Sequence, residues 1–262
     1  MSPESKKVCI SIAERPGTFG REFHNRGYSL LGLDYMYIPL KVNASELESM
    51  LKIVRDNCKG CSVSMPHKKR VYELVDERDV SAERTGAVNT ILNQDGRLIG
   101  FNTDYTGAGK LLNESDVFGK RVVLLGAGGV AHALGAAVLD KGANLYVMNR
   151  TREHAESMVQ RIGNGSVIDE SEISSIRAHW LINATNRGMG PDETPLAKKF
   201  LTLFLYVLDA VVGDTTLIRD ARALEKIVIP GRMLTAYQAA DQFKIYTGHN
   251  LPQEFINRFA NS

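Results

Sequence analysis

The segment from Arg121 to Arg152 constrains this chain more than any other. An apolar run, Val122 to Leu125, breaks into Gly126-Ala127-Gly128-Gly129-Val130-Ala131 and passes into a helical pattern. Glycines let a backbone turn tightly and approach a pyrophosphate closely, while the helix that follows aims its free N–H groups and positive dipole end at the anion. A second apolar run, Leu145 to Met148, follows at the spacing of a βαβ unit. Strand, glycine turn, helix and strand in that order predict a Rossmann-like dinucleotide-binding unit. The second strand ends in Asn149-Arg150-Thr151-Arg152, where an NAD enzyme carries a carboxylate for the ribose hydroxyls. Two arginines with a hydroxyl between them suit a 2′-phosphate by charge and by forked donor geometry, which points to NADP as cofactor.

With 262 residues the chain is long enough for two domains. Its content, 44% hydrophobic and 24% charged, is that of a soluble globular protein, and no apolar run is long enough to span a bilayer. The start, Met1 to Lys7, is polar and lacks the apolar core of a signal peptide, so a cytoplasmic location is expected. A net charge of +2 without a dense lysine or arginine cluster argues against a nucleic-acid partner. Cys9, Cys58 and Cys61 are an odd number, which disfavours a disulfide framework. Cys58 and Cys61 form a lone CxxC, half of a zinc site at most, and the six histidines show no ligand spacing, so no metal is expected.

The nucleotide unit is preceded by alternating strand and helix signals. Val8 to Ile12, Tyr35 to Pro39 and Cys61 to Met65 read as strands, and Gly20 to Leu31 as a helix. A second helix over Ala44 to Asn57 is opened by the capping box Asn43-x-x-Glu46. Val88 to Leu92 and Leu98 to Phe101 flank an Asp95-Gly96 hairpin turn. Downstream, apolar segments near Val167, Leu181 to Asn183, Leu205 to Asp209 and Ile227 to Ile229 extend a parallel sheet, and helices run from about Leu234 to Tyr246 and from Pro252 onward. The fold class is therefore α/β with two domains. Residues 1–104 are expected to form a substrate-binding domain, 105–233 a Rossmann-like, doubly wound cofactor domain, and 234–262 helices that return to pack on the first.

Reducing a ketone by hydride transfer needs a group that protonates the developing alkoxide. Two regions of the first domain could supply it: Ser62-Val63-Ser64-Met65-Pro66-His67-Lys68, and Gly86-Ala87-Val88-Asn89-Thr90 with Phe101-Asn102-Thr103-Asp104 after the hairpin. An ammonium can donate to the carbonyl oxygen while a carboxylate orients it and tunes its pKa. Spacing alone does not single these residues out, since lysines after strands are commonly solvated and aspartates commonly cap helices.

Several motifs together are similar to those of the shikimate dehydrogenase family. Ser64-Met65-Pro66-His67-Lys68 resembles its Thr-Val-Pro-Phe-Lys, Gly86-Ala87-Val88-Asn89-Thr90 has the same form, and Asn102-Thr103-Asp104 matches its Asn-Thr-Asp. Gly126 to Ala131, Asn149-Arg150-Thr151, Ile182-Asn183-Ala184-Thr185 and Gln238-Ala239-Ala240 extend the resemblance over nearly the whole chain. It implies Lys68 and Asp104 as the catalytic pair, Thr18, Ser64, Asn89 and Gln238 as substrate contacts, and shikimate or a related ring acid such as quinate or aminoshikimate as the small-molecule partner. It likewise implies NADP held by Gly126, Ala127, Gly128, Gly129, Val130, Asn149, Arg150, Thr151, Arg152, Thr185 and Gly231. A monomer or homodimer is expected.

The chain departs from that pattern at its acid-binding end. Thr18 and Gly20 stand where the family carries two carboxylate-binding serines, with Arg21 in place of a proline. Val212 replaces a tyrosine, and Gly231-Arg232-Met233 replaces Gly-Leu-Gly. Arg15-Pro16 through Phe23-His24-Asn25 resembles instead the shikimate dehydrogenase-like branch. An arginine, Arg15, Arg21 or Arg232, is the candidate to replace the lost hydroxyl. The contrasting expectation is a non-catalytic NADP-binding regulator that has lost substrate recognition.

Overall fold

The computed structural model describes residues 6–113, 117–188, 190 and 193–261; Met1 to Ser5, the start of the polar N-terminal stretch, lie outside the described residues. The chain divides into two compact units, Met1–Thr103 with Gln238–Ile256, and Asp104–Tyr237 with Asn257–Ser262. No helix among the described residues is long and apolar enough to cross a membrane.

The first unit is built on β1 (Lys7–Ala13), β2 (Tyr35–Lys41), β3 (Gly60–Val63), β4 (Glu77–Arg78), β5 (Thr90–Gln94) and β6 (Arg97–Phe101). Their order is β2-β1-β3-β5-β6-β4, with β1 parallel to β2 and β3, and β5 antiparallel to both β3 and β6. Helices α1 (Phe19–Leu30), α2 (Leu47–Asn57), α3 (Lys68–Leu74) and α4 (Val80–Thr85) complete it. The core gathers Ile10, Ile12, Leu47, Leu51, Val54, Cys61, Val63, Val71, Ile91 and Leu98. Leu47, Leu51 and Val54 lie on one face of α2, as their spacing predicts. The capping box at Asn43 and Glu46 forms, yet it closes a 3-10 turn, Ala44–Glu46, and the α-helix begins only at Leu47. Asp95 and Gly96 turn the hairpin with φ of 52° and 88°, the left-handed pair that a two-residue loop requires. The first hairpin strand starts at Thr90 rather than Val88, because the Val88 N–H bonds to the Lys68 carbonyl, outside the ladder.

The second unit carries β7 (Arg121–Leu125), β8 (Asn144–Met148), β9 (Gly165–Val167), β10 (Trp180–Asn183), β11 (Tyr206–Asp209) and β12 (Ile227–Pro230). The order β12-β11-β10-β7-β8-β9 is all parallel, with the reversal at β7 that defines a doubly wound nucleotide fold. Around it lie α5 (Thr103–Asn113), α6 (Gly129–Asp140), α7 (Arg152–Ile162), α8 (Ile173–Ile176), α9 (Thr216–Ala223), the first turns of α10 (Gly231–Thr247) and the end of α11 (Gln253–Asn261). Both faces of the sheet are covered, which is why its strands are apolar throughout rather than alternating. Val122, Leu124, Leu145, Val147, Trp180 and Ile182 pack with Ala131, Leu134 and Val138 of α6. Val123, Leu125, Leu181 and Val207 pack on the opposite face with Leu217 and Ala221 of α9.

One buried side chain ties α2 to the hairpin. Asn93 Nδ2 donates to the carbonyls of Val54, Arg55 and Cys58 at 2.8–3.0 Å, and its Oδ1 accepts from the Gly96 N–H at 2.8 Å. The Val54 carbonyl also accepts from the Cys58 N–H at 3.0 Å, whereas those of Arg55 and Cys58 are among the four that a helix end leaves without intrahelical partners. Replacing Asn93 with alanine orphans them together with a turn N–H. The expected loss is about 2–3 kcal/mol of unfolding free energy, read as a lower urea midpoint at unchanged m value.

Candidate functional site

In the first unit the candidate residues collect at the carboxyl ends of β1 and β3. The Ser64 N–H donates to the Ile12 carbonyl at 2.9 Å, and the Glu14 N–H to the Met65 carbonyl at 3.3 Å, so the segment after β3 lies along the exit of β1. His67, 2% exposed, anchors that segment through its Nε2 on the Val42 carbonyl at 2.9 Å. Lys68 follows as the first residue of α3, half-buried, with its carbonyl accepting from Val88 at 3.0 Å. Asn89 is the next residue after Val88, and its carbonyl accepts from Val63 at 2.7 Å. Ser64, Lys68 and Asn89 are thus held at one end of one sheet by backbone bonds.

Asn89 is 1% exposed, and its two amide ends are treated differently. Oδ1 accepts from the Thr103 N–H at 2.7 Å, the Thr103 hydroxyl at 3.1 Å and the Thr90 hydroxyl at 2.8 Å. Nδ2, also buried, has no hydrogen-bond partner. A buried donor without an acceptor costs about 1–3 kcal/mol, and a ligand oxygen is one group that can relieve that cost. Thr103 in turn precedes Asp104, which is 4% exposed in the first turn of α5. The neighbouring Asn102 locks this junction, its N–H on Ser81 and its Nδ2 on Thr85 and the Ala87 carbonyl.

Gln238 is half-buried on α10. The residue one turn further on, Gln242, does more than the sequence motif indicates. Its Oε1 accepts from Ser62 Oγ at 3.1 Å and faces His24 Nε2 at 3.4 Å, and its Nε2 donates to Thr90 Oγ1 at 3.0 Å. Ser62 also receives the Tyr37 hydroxyl at 2.7 Å and sits 2.9 Å from that of Tyr246. Burial lowers the His24 pKa to about 3, so the ring is neutral, and it stacks on Tyr37 at 4.4 Å. The signal that could have found Gln242 is its i+4 spacing from Gln238, which puts both on one helix face.

Thr18 occupies the cap position of α1, exposed, without using its hydroxyl to cap the helix. Gly20 follows where a Cβ would meet the Tyr37 hydroxyl at 3.1 Å. Among the three candidate arginines, Arg15 and Arg21 are exposed, while Arg232 donates its Nε to the Phe259 carbonyl at 3.0 Å. Cys58 and Cys61 are buried free thiols, one at the end of α2 and one in β3.

In the second unit the carboxyl ends of β7, β8 and β10 converge. Gly126 turns with φ of 107°, and a Cβ there would sit 3.0 Å from the Ala184 carbonyl, so only glycine fits. Gly128 caps α6, leaving the first N–H groups of that helix pointing out of the turn. Asn149 Nδ2 holds its own loop through the Thr151 carbonyl at 2.8 Å. Thr151 precedes α7 with its hydroxyl unused as a cap. A cavity of about 550 Å³ lies among these loops, lined by Asn149, Arg150, Thr151, His154, Thr185 and Arg187 along with Asp169 and Glu170. A glycine turn at a helix start beside a cavity with arginines at its edge fits a phosphorylated dinucleotide. Arg152 is not part of that lining; it pairs with Glu156 at 3.0 Å and Asp169 at 3.1 Å. Gly231 begins α10 against backbone, where a Cβ would lie 2.6 Å from the carbonyls of Ala210 and Val211.

Asn183 organises this end of the second sheet. Fully buried, it accepts from the Thr185 N–H at 3.0 Å and the Thr185 hydroxyl at 2.7 Å, and donates to the Arg187 carbonyl at 3.1 Å and to Asp209 at 2.8 Å. Asp209 completes the set with the Val211 N–H and the Thr215 hydroxyl.

Comparison with known proteins points to one family. A model of the shikimate dehydrogenase substrate-binding domain matches residues 19–91, and one of shikimate / quinate 5-dehydrogenase matches residues 108–186. The shikimate dehydrogenase (NADP(+)) of Pyrococcus abyssi is 38% identical over 239 residues, covering 90% of this chain and 89% of its own. A solved shikimate 5-dehydrogenase-like protein is 31% identical with a TM-score of 0.87, over 99% of this chain and 98% of its own. The shikimate 5-dehydrogenase of Thermus thermophilus, solved in complex with NADP(H) and shikimate, is 28% identical with a TM-score of 0.87, over 97% of this chain and 98% of its own.

Asp209 sets a pH dependence. Burial raises its pKa above the ordinary 3.8, against the lowering effect of its three hydrogen bonds. As pH rises from 3.8 toward the raised value, the unfolded chain loses this proton first, so the native state binds more protons and stability falls across that window. Asp209→Asn removes the fall. The difference in urea midpoint between the variant and the parent should therefore shift in favour of the variant as pH is raised from 3.8, and a difference independent of pH refutes the assignment.

Proposed function

The chain belongs to the shikimate dehydrogenase family, and we propose that Lys68 and Asp104 are the acid–base pair with which it interconverts shikimate and 3-dehydroshikimate using NADP. The cofactor supplies or accepts the hydride at the ring carbon. In the reducing direction the Lys68 ammonium gives its proton to the ketone oxygen, and in the oxidising direction the neutral amine takes the proton from the ring hydroxyl. Asp104 supplies the carboxylate that balances the ammonium charge. Asn89 donates through Nδ2 to a ring hydroxyl oxygen, with Gln238, Ser64 and Thr18 as further contacts. Gly126 to Val130, Asn149, Arg150, Thr151, Thr185 and Gly231 hold the cofactor.

The observation that carries this reading is the buried, unpartnered Nδ2 of Asn89 beside the backbone that fixes Lys68. A regulator that had stopped binding a ring acid would gain stability by satisfying or removing that donor. Gly20 favours a related ring acid as a second substrate, since no side chain reaches from that position and the Tyr37 phenol lies over it.

Reduction of NADP+ in the presence of shikimate, quinate and related ring acids tests the substrate class; no acid-dependent reduction with any of them supports the regulator instead. Lys68→Ala is expected to lower kcat by roughly 10²–10⁴-fold while leaving the NADPH dissociation constant within about a factor of two. Full turnover in that variant removes Lys68 from the mechanism.

A further inference from the structure

The cavity at the ends of β8 and β10 presents a different pair of arginines from the one written almost consecutively in the chain. Arg152 is balanced by two carboxylates, Glu156 and Asp169, and does not line the cavity. Its charge is already neutralised locally, which leaves little attraction for an anion. Arg187 does line the cavity, together with Arg150, Thr151 and His154. Neither Arg150 nor Arg187 forms a side-chain hydrogen bond or ion pair among the described residues.

Arg187 is exposed, but its backbone is fixed. Its N–H donates to Thr185 Oγ1 at 3.1 Å and its carbonyl accepts from Asn183 Nδ2 at 3.1 Å, Asn183 being fully buried. The guanidinium thus extends from a turn that the buried carboxamide holds in place, on the segment packed against Gly126. A phosphate monoester carries between one and two negative charges near neutral pH and has three acceptor oxygens, more than one guanidinium satisfies. Two carboxylates also line the cavity. Asp169 is held by Arg152 at 3.1 Å, so Arg152 acts by screening it, and Glu170 is exposed to solvent.

We propose that Arg187, with Arg150, binds the 2′-phosphate of NADP, and that Arg152 is the neutraliser of Asp169 rather than a phosphate contact. This rests on the reading of the cavity as the NADP site. It makes Arg187 a cofactor-selecting residue, placed on the loop after β10 instead of the loop after β8.

Calorimetric titration with adenosine 2′,5′-bisphosphate and adenosine 5′-monophosphate, which differ only in the 2′-phosphate, tests it without turnover. Arg187→Ala should weaken the bisphosphate by about tenfold or more and the monophosphate by less than about threefold, with Arg187→Lys between parent and alanine variant. Equal losses for the two ligands, or no loss for either, overturn the proposal. Arg150→Ala measured in parallel separates the two levels of inference. If it lowers the 2′-phosphate preference while Arg187→Ala does not, Arg187 alone is excluded; if neither lowers it, the cavity itself is not the site of the extra phosphate.

Discussion

A single carboxamide oxygen, Asn89 Oδ1, gathers three hydrogen bonds at the end of the first unit. By accepting from both the N–H and the hydroxyl of Thr103 and from the hydroxyl of Thr90, it determines where the chain leaves the first unit and where α5 begins. The residue before it brings in Lys68 through one backbone bond, and the residue after it receives Gln242 from α10. Three segments distant in sequence are therefore held at three consecutive buried residues, Val88, Asn89 and Thr90. Hydrogen bonds in such a setting are electrostatically stronger than in water, and an unpaired member is correspondingly costly.

The second unit depends on closeness of backbone to backbone. Gly126 lies against the Ala184 carbonyl, and Gly231 lies against those of Ala210 and Val211, with no room for a Cβ at either position. Asn183 and Asp209 then set the loops that carry Thr185, Arg187 and Val211. The parallel sheet supplies rigidity through burial on both faces, and the loops at its carboxyl ends line the cavity.

Much of this was legible in the linear chain because it depends on local rules. The glycine turn, the Asp95-Gly96 hairpin and the amphipathic face of α2 each follow from spacing within a dozen residues, and the structure places all three as expected. What was not legible depends on partners far apart. Nothing in Asn149-Arg150-Thr151-Arg152 says that Asp169 and Glu156 will engage the second arginine, because that is settled by the start of α7 and by the segment after β9. Gln242 was overlooked because its neighbours, Ser62 and Thr90, come from strands some 150 to 180 residues earlier. The family resemblance located the Lys68 and Asn89 motifs, which spacing alone did not distinguish from solvated surface.

The buried network between Tyr37 and Asn89 has a direction. Ser62 has one proton and gives it to Gln242 Oε1, so both phenols must donate toward it. Gln242 then donates to Thr90, and Thr90 donates to Asn89 Oδ1. Every hydrogen along the path points the same way, and reversing any one would set two donors or two acceptors face to face. At its end the Thr103 N–H, which can only donate, holds Oδ1 of Asn89 toward it, so that amide cannot flip. In the role proposed for Asn89, its Nδ2 asks of a ligand only a lone pair, so a ring ether would satisfy it as well as a ring alcohol would.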